Sequence, residues 1–138
     1  MGKEFQDMLA GIDYLVGEGI TNWYSMTGTS EIFNENSTVH WDLYMYDNYE
    51  IYWQRSPMAY IKKANTPTLI FHGAVDTRVP YGQSQELYTA LRWKGVPVEF
   101  VTYPREGHGF GEKAHRYDYM KRGLAWLEKY LKGDLARR

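Results

Sequence analysis

Two residues in this chain have the right type and setting for chemistry. Asp76 lies in His72-Gly73-Ala74-Val75-Asp76-Thr77-Arg78-Val79-Pro80, just after an apolar run, and His108 lies in Glu106-Gly107-His108-Gly109-Phe110, after a second apolar run. A carboxylate just past a strand end can fix the tautomer of an imidazole and stabilise its protonated form. An imidazole between two glycines sits on a loop free to present it to both an acid and a nucleophile. Acid before base is the order of a Ser…Asp…His triad. Taken singly, Asp-Thr-Arg is also good turn chemistry, and a histidine in a glycine-rich loop needs no catalytic role. Two such loops, each after a strand and in this order, point to an acid–base pair. The expected partner, a serine within Gly-x-Ser-x-Gly upstream of Asp76, is absent.

The elements that must position the pair follow from periodicity. Residues 67–72 form a short continuous apolar run, as expected for a strand buried on both faces. Residues 82–94 read as a helix with Leu87, Ala90 and Leu91 inward and Gly95 as its C-terminal stop. Residues 97–103 read as a second strand. Residues 113–132 read as a long helix with Met120, Leu124, Leu127 and Leu131 on its inward stripe. Strand–helix–strand–helix order predicts an α/β unit with parallel strands. Upstream, Phe5, Met8, Leu9, Ile12 and Leu15 recur at helical spacing and predict a helix over 4–16. Residues 20–37 read as loop with a short helix. Residues 38–64 should contain short helices, with Ser56-Pro57 at a turn or a new helix start.

Composition narrows the function classes. The chain has 138 residues and a net charge of −1, which offers no concentrated basic face for nucleic acid or an anionic membrane. No membrane-spanning run and no signal-peptide pattern is evident. There is no cysteine, so thiol catalysis, disulfides and cysteine-based zinc sites are excluded, and a cytoplasmic location is the simplest reading. His40 and His115 lack partners at ligand-like spacing, so neither a metal nor any other cofactor is expected. His72 reads as a locally hydrogen-bonded residue rather than a catalytic one. Thirteen tyrosines and five tryptophans suit either an aromatic-rich core and surface or a binding interface.

The run Leu69-Ile70-Phe71-His72-Gly73 through Asp76-Thr77-Arg78-Val79-Pro80, then Gln83-Ser84, Tyr103-Pro104 and Gly107-His108-Gly109-Phe110, resembles the C-terminal end of the prolyl oligopeptidase family catalytic domain, and within it the acylaminoacyl-peptidase-like members. Gly19-Ile20-Thr21-Asn22-Trp23 and Ser56-Pro57-Met58-Ala59-Tyr60-Ile61 match the same family. Asp7 with Ala10-Gly11-Ile12-Asp13-Tyr14-Leu15 resembles the helix before its nucleophile strand. The similarity covers nearly the whole chain. It implies an α/β-hydrolase fold, Asp76 as triad acid and His108 as triad base, and a serine-hydrolase activity on simple esters or peptides.

In that family a strand, the Gly-x-Ser-x-Gly elbow, its helix and a further strand separate the segments that here nearly abut at Val16 and Gly19. The resemblance therefore implies a truncated α/β-hydrolase, residues 1–138 forming a single partial domain without the elbow or its share of the oxyanion hole. Because the family places residues 20–30 near the active-site mouth, Ser25 and Ser30 are the candidate substitute nucleophiles. For each, a loop or helix-cap role is the plainer reading. Thr27-Gly28-Thr29-Ser30-Glu31 lacks a second glycine and follows no strand. The same resemblance makes the strand at 67–72 lack one neighbour. Its open edge predicts a homodimer that completes the sheet about a two-fold axis, aided by aromatics from 38–53. The alternative to an enzyme is an inactive homodimeric remnant, or a binding module using the aromatic surface.

Overall fold

A computed structural model of the chain describes residues 14–15, 19–40 and 42–132. Its centre is a parallel sheet of strands β1 (Tyr14–Leu15), β2 (Thr68–Gly73) and β3 (Val98–Tyr103), in the order β1-β2-β3. β2 and β3 pair along their whole length, from Thr68 opposite Val98 to Gly73 opposite Tyr103. β2 is buried at every position, as its continuous apolar run requires.

Alternation along β2 divides the core in two. Leu69 and Phe71 face Tyr103 and Trp126, with Val101, Phe110, Tyr119 and Tyr130 against them. Ile70 faces Leu87, Leu91 and Val96, joined by Met58, Ile61 and Phe100. The helix α4 (Gly82–Trp93) covers the second face and α5 (Lys113–Leu127) the first. α4 ends as Gly95 predicts. Gly95 adopts φ +73°, its N–H bonds the Arg92 carbonyl and the Val96 N–H bonds that of Leu91, a left-handed reversal that satisfies the last carbonyls and delivers the chain to β3.

The segment between β1 and β2 is helical. α1 (Trp23–Thr29), α2 (Phe33–His40) and α3 (Tyr49–Arg55) are joined by 3-10 turns at Met45–Asp47 and Pro57–Lys63, so residues 20–37 hold two helices where one short helix is expected. Asn22 explains the first. Its side chain accepts from the Tyr24 and Ser25 N–H groups, an N-cap. Ser56 ties the segment together, accepting from Trp23 N–H and donating to the Tyr52 carbonyl.

Two expectations are corrected. The predicted helix over 4–16 does not hold at its end, where Tyr14 and Leu15 form β1 and pair with Leu69 and Ile70; the rest of that range lies outside the described residues. The open edge of β2 offers these residues unpaired backbone groups, which outweighs helical spacing. That edge is therefore partly occupied within the chain. The inward stripe of α5 also differs: Met120 and Leu124 are 60% and 61% exposed, while Gly123 and Trp126 are buried. An aromatic face removes more area from water than a leucine–methionine one.

Candidate active site

β2 and β3 end side by side, and the loop after each carries one member of the predicted pair. His108 Nδ1 lies 3.1 Å from Asp76 Oδ2. The Asp76 side chain is 1% exposed and that of His108 32%. The acid is sealed while the base reaches solvent. Asp76 Oδ1 accepts the N–H groups of Arg78 at 2.9 Å and Val79 at 3.0 Å. The turn chemistry and the contact with the imidazole are thus compatible: the Asx turn orients one oxygen and leaves the other for His108.

Gly73, the last residue of β2, fixes how the two loops meet. A Cβ there would fall on the carbonyl oxygens of Glu106 and Gly107, so only glycine lets the His108 loop cross this point. Ala74 N–H then bonds the Tyr103 carbonyl and Val75 N–H that of Glu106, stitching the acid loop to the base loop.

Glu106 holds the His108 loop from the other side. It is buried, and its carboxylate accepts the Gly111 and Glu112 N–H groups and sits 2.8 Å from His115 Nδ1. The two backbone N–H groups first, then His115, hold its carboxyl down at about 2. Arg105 adopts φ +67° and forms a two-pronged ion pair with Glu112. Below the loop, burial and then the bond to Asp118 push the Tyr103 hydroxyl above its ordinary value, which keeps it a neutral donor.

The remaining candidates are placed differently. Ser25 Oγ donates to Glu86 Oε1 at 2.8 Å and accepts from Gln83 Nε2 at 2.8 Å. Ser30 Oγ donates to the Arg78 carbonyl at 2.6 Å and accepts from Ile32 N–H. Each hydroxyl proton is thus directed away from an acid–base role, although Ser30 touches the loop that carries Asp76. His72 is fully buried between Ser84 Oγ at 2.7 Å and the Val79 carbonyl at 3.0 Å, the local bonding expected of it. His115 does have neighbours. Glu106, Glu112 and His115 bring ligand-type atoms within 4.8 Å of one another. The carboxylates are already engaged by backbone N–H groups, His115 and Arg105, which leaves poor donors for a cation.

Sequence reasoning missed Glu106 and Gly73. Both lie in the quoted motifs, but a glycine carries no reactive group, and the bonds that bury Glu106 run to Gly111, Glu112 and His115, which its own motif does not disclose. Gln83, also missed as a functional position, accepts from Thr21 and Asn22 N–H and anchors the start of α1 to α4.

The Prolyl oligopeptidase family description matches residues 14–134. This chain belongs to the prolyl oligopeptidase family. Among curated relatives, it is 31% identical over 115 residues to the uncharacterized peptidase YuxL of Bacillus subtilis, covering 81% of this chain and 18% of that protein. It is 36% identical over 77 residues to the acylamino-acid-releasing enzyme of Rattus norvegicus, covering 56% of this chain and 10% of that protein. Among solved structures, the acylaminoacyl peptidase of Pyrococcus horikoshii superposes with a TM-score of 0.76 at 27% identity, over 84% of this chain and 20% of that one. This prolyl oligopeptidase family chain thus spans a fifth or less of the length of these relatives. The short parallel sheet flanked by helices is an α/β-hydrolase arrangement. Among the described residues, no helix is long and apolar enough to cross a membrane.

Proposed function

We propose that this chain is a hydrolase of simple esters and peptides in which Asp76 and His108 supply the acid–base half of a serine-hydrolase mechanism. The 3.1 Å contact between a sealed carboxylate and a solvent-reaching imidazole carries this reading. With Nδ1–H donated to Asp76, His108 Nε2 is the atom that takes a proton from an attacking hydroxyl or water. The attacking oxygen bonds the carbonyl carbon, the bond to the leaving group breaks, and the proton on Nε2 passes to the departing alcohol or amine. Losing the elbow serine of a triad lowers kcat about a million-fold. Turnover far below that of an intact family member is expected unless Ser25 or Ser30 rotates out of its present bonds.

A p-nitrophenyl ester assay tests this. His108→Ala and Asp76→Asn should each abolish activity above background. Ser25→Ala and Ser30→Ala, with fluorophosphonate labelling, report whether either serine attacks. Activity unchanged in His108→Ala overturns the proposal. The engaged hydroxyls of Ser25 and Ser30 favour the second reading, a catalytically silent homodimeric remnant.

A further inference from the structure

Charge is unevenly divided along this chain. Residues 4–54 hold nine carboxylates and no lysine or arginine, whereas residues 55–138 hold fifteen lysines and arginines against eight carboxylates. Two exposed apolar faces, one in each half, carry charges of opposite sign. One lies around the Met45–Asp47 turn. Tyr44 and Tyr46 are each 63% exposed and Tyr49 46%. Their rings form one cluster, Tyr44–Tyr46 at 5.3 Å, with Tyr24 touching Tyr46 at 6.3 Å and Tyr49 at 5.0 Å. Asp42, Asp47 and Glu50, interleaved with these tyrosines in the sequence, are exposed, and no salt bridge engages them among the described residues.

The other face is the outer side of α5. Tyr117, Met120 and Leu124 are 68%, 60% and 61% exposed. With Lys113 and Lys121 they fall at helical spacing on one side, and Arg116 borders them. Lys113, Arg116 and Lys121 are exposed and make no salt bridge among the described residues, Lys121 acting on Asp118 only at longer range. The cations of α5 that do pair, such as Arg122 with Asp118 and Glu99, lie off this stripe.

We propose that these faces are the two sides of one interface, the acidic aromatic face of one copy seating on the basic apolar face of α5 in a second copy. Each offers an apolar centre accompanied by three exposed charges outside any salt bridge among the described residues, and the signs are opposite. Aromatic rings facing ammonium and guanidinium groups add cation–π attraction. Each copy carries one of each face, so the contact is head-to-tail. It uses neither Asp76, His108 nor the edge of β2, and stands or falls apart from the proposed activity.

Sedimentation velocity from micromolar to about 100 μM protein, in about 20 mM and about 500 mM NaCl, tests it. Wild type should self-associate at low salt and lose at least about tenfold in association strength at high salt. Arg116→Glu with Lys121→Glu should be monomeric at low salt, as should Asp47→Lys with Glu50→Lys. An equimolar mixture of the two double variants should associate again, because each then meets a complementary face. Circular dichroism checks that both variants fold. A monomeric wild type at low salt overturns the proposal. So does association that survives high salt and both reversals, which would move the contact to the edge of β2. A mixture that stays monomeric overturns it as well.

Discussion

At the residue scale Asp76 and His108 are each held in place by something other than their contact with one another. Asp76 is held by its own turn, and His108 by Gly73 beneath it and Glu106 behind it. Gly73→Ala would force a methyl group into two backbone carbonyls, which cannot swing away as a side chain can. We expect a loss of about 1–3 kcal/mol or more in urea denaturation, with the His108 imidazole resonances shifted because the loop must lift. Glu106 gives a pH signature. Its carboxyl titrates at about 2 in the folded chain, below its ordinary unfolded value. It therefore contributes stability above that ordinary value and loses it as pH falls toward 2. Glu106→Gln should lower stability at neutral pH and flatten the acid limb of a denaturation series between about pH 4.5 and 2. An unchanged acid limb would remove Glu106 from this role.

At the element scale, α5 separates two ways of reading a helix. Hydrophobic spacing alone selects Met120 and Leu124, yet the buried face carries Trp126 and Gly123, with Tyr119 packed beside them. Trp126→Ala should cost about 3–5 kcal/mol, whereas Leu124→Ala should stay within about 0.5 kcal/mol in the dissociated chain; thermal or urea unfolding of both variants compares them. β2, α4 and β3 were legible because each satisfies one unambiguous pattern: a continuous apolar run, an amphipathic repeat with a glycine stop, and a β-rich segment. The pair Asp76–His108 was legible because its two loops end those strands. β1 was not, because its pairing depends on an edge created by distant residues. The turn-and-helix segment over 20–63 was only partly legible, since its caps (Asn22, Ser56) act through bonds to residues that sequence spacing does not disclose.

At the scale of the whole molecule, a central strand, β2, faces both cores and leads into the Asp76 loop. Leu69 and Phe71 serve one layer, Ile70 the other, and Gly73 the site. Among the described residues, Leu69 and Ile70 are the β2 positions opposite β1, and Phe71 and His72 beyond them are fully buried, so extending the sheet there with a second copy requires whatever covers them to move aside. A dimer built on backbone pairing at β2 should survive high salt, unlike the contact proposed for α5, and sedimentation at the two salt concentrations separates them.

Buried His72 lets this architecture be watched in solution. The Val79 carbonyl can only accept, so His72 Nε2 carries the hydrogen and Nδ1 receives that of Ser84. An imidazole proton enclosed in this way should give a sharp downfield resonance that exchanges with water only when β2 and α4 part. Its decay in deuterated solvent would time the opening of the layer against which the acid loop is built.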